Sequence, residues 1–213
     1  MKVLVIDTCG EVGSVALCKG ERVVAGETLA ARSSSSALLP TIARLLAEQG
    51  WKLAELDGVG IVSGPGSFTG VRVGLAAAKG LCEPTSLPLV AVSRLEVLAS
   101  AAALQDGYAV LDAGRGEVYV RTIATGKEML SGLDETRTLA AGAHVVVAEE
   151  KILEAFADTQ VQIIAIRAEL ALPIVLRELR AGAGDVALVD ANYVRGERDI
   201  YGKSSAVVAG ETI

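Results

Sequence analysis

A chain of 213 residues with 51% hydrophobic residues and a mean hydropathy of +0.45 has ample material for one large domain or two small ones, and at 3% aromatics its core must be aliphatic. A net charge of −6 argues against a broad basic surface for holding nucleic acid, and no apolar run approaches the roughly 18–20 residues of a membrane span. Three cysteines, Cys9, Cys18 and Cys82, with no Cys-x-x-Cys pair and no signal-peptide pattern at the first residues, fit free buried thiols in a reducing cytoplasm.

Lys2 to Thr8 is an apolar run ending beside Asp7, as expected of a buried strand. Val12 to Lys19 and Arg22 to Leu29 read as two further strands joined by Gly20-Glu21, so the chain opens with a three-stranded meander. The polar run Arg32 to Ser36 is expected to cap a helix whose apolar face is Leu38, Leu39, Ile42, Leu45 and Leu46, with Pro40 in its first turn and Gly50 as its stop. Gly58 to Ser63 reads as a strand, followed by Gly64-Pro65-Gly66-Ser67-Phe68-Thr69-Gly70 and a second helix with a stripe of Gly74, Ala77, Ala78 and Leu81. Small residues in such a stripe let another helix approach closely, from this chain or from a partner. Leu89 to Val92 reads as a strand and Arg94 to Leu104 as an alanine-rich helix.

At residue 105 the pattern restarts. Tyr108 to Asp112 is again an apolar run ending in an acid, followed by the turn Ala113-Gly114-Arg115-Gly116 and an alternating strand, Glu117 to Thr125. This echo of the opening suggests an internal duplication, with domains at 1–104 and 105–213. The second half continues with a strand at Val145 to Ala148, a short helix from Glu150, a strand at Val161 to Ile166 and a helix at Glu169 to Arg180; Ser131 to Thr138 carries no clear pattern.

The loop from Gly64 to Gly70 follows a strand and leads into a helix, an arrangement that presents free N–H groups to an anion. It lacks the Lys-Ser/Thr ending of the Walker loop and the dinucleotide fingerprint, so a tight packing turn accounts for it equally well. Asp7, Gly64, Gly66, Ser67, Thr69 and Gly70 are the candidates for an anion or nucleotide site. Acids at paired strand ends, Asp7 and Asp112, could hold hydrated magnesium beside a nucleotide. However, Glu11 in the first turn would repel a phosphate, so nucleotide binding by the isolated chain is expected to be weak or absent. The single histidine, His144, fits a strand start, cannot supply a metal pair, and has no local partners for a catalytic triad. No catalytic or metal-ligating residue is therefore assigned.

The run GPGSFTGVRVG at Gly64 to Gly74, the opening VLVIDT, the LLP of the first helix and DAGRGEVY at Asp112 to Tyr119 together resemble the TsaB (YeaZ) family. The resemblance is close in the N-terminal half and looser beyond it, with Tyr193-Val194-Arg195 also matching. It implies the actin/hexokinase/Hsp70-like fold, two duplicated α/β subdomains with mixed sheets. It further implies a non-catalytic subunit that works with TsaD and the ATPase TsaE in threonylcarbamoylation of adenosine 37 of tRNA. On this reading ATP and magnesium are used by the complex, tRNA is met only through it, and the chain alone forms homodimers. The implied partner interface is Leu38, Leu39, Ile42, Val71, Arg72, Gly74, Ala77, Ala78 and Leu81. Ser33 to Ser36 depart from the family, whose members often carry a histidine and an acid there. The competing class is an enzyme, either a small-molecule kinase of the same superfamily or a glycoprotease-like peptidase.

Overall fold

The computed structural model describes residues 1–30, 34–192 and 194. Of the Tyr193-Val194-Arg195 match only Val194 falls within them, and Ser33 of the serine run lies outside.

Three strands open the chain as expected, β1 (Lys2–Asp7), β2 (Gly13–Lys19) and β3 (Arg22–Leu29), each antiparallel to the next. Helix α1 (Ser34–Glu48) then leads to β4 (Gly58–Val62), α2 (Phe68–Cys82), β5 (Leu89–Val92) and α3 (Arg94–Ala102). Because α1 starts at Ser34, Ser34 to Ser36 join the helix, and Pro40 falls in its second turn rather than its first. β4 pairs in parallel with both β1 and β5, giving a mixed sheet in the order β3-β2-β1-β4-β5.

The second half builds β6 (Tyr108–Gly114), β7 (Glu117–Thr122), β8 (Glu128–Gly132), α4 (Leu133–Leu139), β9 (His144–Val147), β10 (Gln160–Ile163) and α5 (Leu172–Arg180). Its sheet order, β8-β7-β6-β9-β10, repeats the first: two antiparallel pairs on one side of the central strand and two parallel pairs on the other. The unpatterned stretch 131–138 proves to be the end of β8 and most of α4. The fold is thus two duplicated α/β units with mixed sheets.

In the first unit α1 and α2 cover one face of the sheet and α5 covers the other. Successive strand residues point to opposite faces, and β4 shows both uses. Ile61 faces α2, where it lies against Gly74, while a Cβ on Gly58 or Gly60 would collide with Leu179 or Val175 of α5. Burial on both faces makes β1 and β4 almost continuously apolar. The second sheet divides similarly, with Val110, Val145 and Val147 toward Phe156, and Ala109, Leu111 and Val146 toward Leu95 and Leu98 of α3.

Consequently the chain does not divide at one point near residue 105. Ala168, Ala171, Leu172, Ile174, Val175 and Leu176 all belong to the core of the first unit. The second sheet itself ends at Ile163, and the C-terminal helix returns to cover β4 and β5.

Candidate functional site

A cleft of about 1350 Å³ opens between the units. One wall is the turn after β1, Thr8 to Val12, together with Gly66, Ser67, Thr69 and Gly70; the other carries Asp112, Glu149, Glu150 and Lys151. These segments follow the C-terminal ends of strands, except Asp112, which lies within the last three residues of β6, and open α/β sheets place their ligand sites at such ends.

The glycine loop is built against the chain itself. Ser67 N–H donates to the Cys9 carbonyl at 2.8 Å, and Thr8 Oγ1 donates to the Gly70 carbonyl at 2.7 Å. A Cβ on Gly66 would overlap the Cys9 carbonyl, and one on Gly70 the Thr8 carbonyl. Ser67 caps α2 by accepting from Gly70 N–H at 3.2 Å, and the Gly64 carbonyl accepts from Arg94 N–H at 2.7 Å. The loop therefore packs α2 onto the end of β1, and two of the candidate anion-site residues serve a close approach of backbones.

Asp7 is the last residue of β1 and Asp112 stands two residues before the end of β6, so the two acids lie near corresponding ends of the two central strands. Asp7 is buried and its Oδ1 accepts from Cys9 N–H at 2.8 Å. Burial pushes its carboxyl above the ordinary range, and the Arg94 guanidinium opposes that shift. Cys9 donates its thiol to the Val62 carbonyl at 3.0 Å, and burial beside Asp7 raises it well above a normal thiol, so it is a structural cysteine. Burial likewise pushes Cys18 to about 12 and Cys82 to about 11.

Three further residues complete the cleft, and motif reading passes over them. Arg94, only 9% exposed in its side chain, pairs with Glu149 Oε1 at 3.1 Å, and its Nε is buried without a hydrogen-bond partner among the described residues. Glu149 Oε2 accepts from Asp112 N–H at 3.2 Å. Lys151 Nζ lies 2.6 Å from Asp112 Oδ2. The available signal was positional, since Arg94, Glu149 and Lys151 each stand within four residues after a strand end.

The proposed interface residues separate. Leu38, Ile42, Val71, Gly74 and Ala78 are buried in the first unit's own core, because α1 and α2 turn that stripe toward each other and the sheet. Those five therefore face inward rather than toward a partner. Ala77 and Leu81 are half-buried, while Leu39 is 51% exposed. Arg72 is exposed with its guanidinium 3.7 Å from the ring centroid of Phe68, which is itself 50% exposed. His144 begins β9 beside Asp106, outside the cleft lining, at 3.7 Å. No group of three or more His, Cys, Asp or Glu suited to a metal occurs among the described residues, and no helix there is long and apolar enough to cross a membrane.

Comparison with known proteins agrees with this architecture. The family model described as "TsaD: tRNA N6-adenosine threonylcarbamoyltransferase" matches residues 27–173. The chain is 38% identical over 123 residues to the tRNA threonylcarbamoyladenosine biosynthesis protein TsaB of Escherichia coli K12, covering 56% of this chain and 53% of that protein. It thus spans about half the length of the curated relatives it matches. The solved structure of YeaZ from Pseudomonas aeruginosa superimposes with a TM-score of 0.75 at 25% identity, over 90% of this chain and 99% of that one. A more distant match, TM-score 0.55 at 12% identity over 85% of this chain and 97% of that one, is the Clostridium difficile activator of 2-hydroxyisocaproyl-CoA dehydratase with bound ADPNP, which shares the fold. The family model covers more than half of the chain, which therefore belongs to the family that this model describes, and the named relative and the solved structure it resembles within that family are of the TsaB (YeaZ) type.

Proposed function

We propose that this chain is a non-catalytic subunit in threonylcarbamoylation of adenosine 37 of tRNA, working with a TsaD-type transferase and the ATPase TsaE. ATP and magnesium are used by the assembled complex in the cytoplasm, and tRNA is met only there. The observation that carries this reading is the state of the cleft. Its strand-end acid Asp112 is paired with Lys151, Glu149 with Arg94, and the glycine loop is hydrogen-bonded to the end of β1. Groups that would act on a substrate are thus engaged within the chain.

The surface left for a partner is the outer side of α1 and α2, where Leu39, Phe68 and Arg72 are exposed beside Ala77 and Leu81. The same face joins two copies when the chain is alone. A specific complex of this kind buries about 800 Å² per partner. Reconstitution is the test: TsaD and TsaE with tRNA, ATP and threonylcarbamoyl-adenylate form product only when this chain is added, and the chain alone forms none. Turnover by the lone chain would refute the assignment. Leu39→Arg, a change at an exposed position, abolishes capture of TsaD if the outer face is used; undiminished capture argues against that face.

The size of the cleft and the fold shared with a nucleotide-bound activator favour one second reading, a small-molecule kinase. Tight ATP binding by the isolated chain in calorimetry distinguishes it.

A further inference from the structure

The paired strand ends of Asp7 and Asp112 are where a protein of this architecture would hold a divalent cation beside a nucleotide. The donor set here does not fit one. Magnesium requires near-octahedral oxygen ligands at about 2.0–2.1 Å, supplied by one or two free carboxylates and a phosphate. Asp112 Oδ2 already accepts from Lys151 Nζ at 2.6 Å and from Gly114 N–H at 3.1 Å. Both oxygens of Glu149 are taken, by Arg94 and by the Asp112 backbone. Asp7 accepts from Cys9 N–H and lies in the field of Arg94.

The charged residues lining the cleft are Glu11, Asp112, Glu149 and Glu150 against Arg94 and Lys151. Lys151 interacts favourably with Asp112, Glu149 and Glu11, so its ammonium stands among carboxylates from the β1–β2 turn, β6 and the end of β9. We infer that Lys151, seconded by Arg94, is a built-in counter-ion that occupies the place of a divalent cation and so closes the cleft to metal-bound nucleotide. This deepens the reading of a non-catalytic subunit, yet it concerns the chain alone and needs no partner to test.

Lys151 is 61% exposed in its side chain, so the pair with Asp112 is partly screened and its removal should have a moderate effect rather than a very large one. The experiment is calorimetric titration of the full chain with manganese chloride, and separately with manganese and ATP, for the wild type, Lys151→Met and Lys151→Met/Asp112→Asn. Methionine keeps an apolar stem of similar length and removes the charge. The wild type is expected to bind manganese only weakly, Lys151→Met about fivefold more tightly, and the double variant to lose that gain. Circular dichroism establishes that each variant is folded, and Lys151→Gln carries the same test should the methionine variant fail to fold. Equal binding by Lys151→Met and wild type overturns the inference, and so does tight binding by the wild type. A wild type that binds manganese tightly but still needs TsaD for tRNA modification sinks the counter-ion alone and leaves the subunit role standing.

Discussion

At the scale of single residues, the glycines of the α2 loop are fixed by distance to their own chain. Gly70 lies against the Thr8 carbonyl, so Gly70→Ala forces a Cβ into backbone that cannot swing aside. Overpacking of this kind costs about 1–3 kcal/mol, which urea denaturation would read as a lower midpoint at unchanged slope. Asp7 offers a second test, through pH. Its carboxyl is raised by burial, so the folded chain holds the proton more tightly than the unfolded chain does. That contribution is full at low pH and is lost as pH rises past roughly 4. Asp7→Asn, which resembles the protonated form and can still accept from Cys9 N–H, therefore gains stability relative to wild type as pH rises past roughly 4. A stability difference that is flat with pH would contradict the burial argument.

At the scale of elements, α5 shows most clearly what packing adds to pattern. Its apolar spacing predicts a helix, and the helix is there, preceded by a short 3-10 turn over Ala168–Ala171. Which sheet it covers could not be read, because the apolar face of a helix carries no address. The contact is decided by Gly58 and Gly60, which leave room on β4 for Leu179 and Val175. Leu176, buried in that contact, should cost about 2–5 kcal/mol on truncation to Ala. The loss should appear as faster amide exchange in β4 and β5 of the first sheet. If exchange increases only in the second sheet, the packing described here is wrong. The stripe on α2 teaches the converse. Gly74 and Ala78 were legible as a close-approach surface, and they are one, but the neighbours are Thr8, Ile61 and the sheet of the same chain.

At the scale of the whole molecule, two sheets of identical strand order flank the cleft, and of the acids near the ends of their central strands Asp112 lines it while Asp7 is buried beside it. The duplication is nevertheless cross-tied. Arg94 of α3 reaches Glu149, Ser14 Oγ accepts from Ala168 N–H at 2.8 Å, and α5 seals the first unit. Residues 1–104 expressed alone would therefore lack the cover of one sheet face and are expected not to fold, as judged by circular dichroism and amide dispersion. A well-folded N-terminal half would overturn this view of the architecture.

Local pattern sufficed for what depends on neighbours in sequence. The strand alternation, the meander, the glycine turn into α2 and the repeat at Asp112 were all legible, since periods of two and 3.6 residues record which face of an element is buried. The elements β8 and α4 escaped because β8 is half-exposed throughout and leaves no clean alternation. Only the tertiary structure decided which surfaces are turned inward, which sheet α5 closes, and how the cleft's charges are matched. Arg94 and Lys151 lie far in sequence from Glu149 and Asp112, the acids they respectively pair with, and no motif marks either pair. Ion pairing depends on distances in space that a linear pattern does not record.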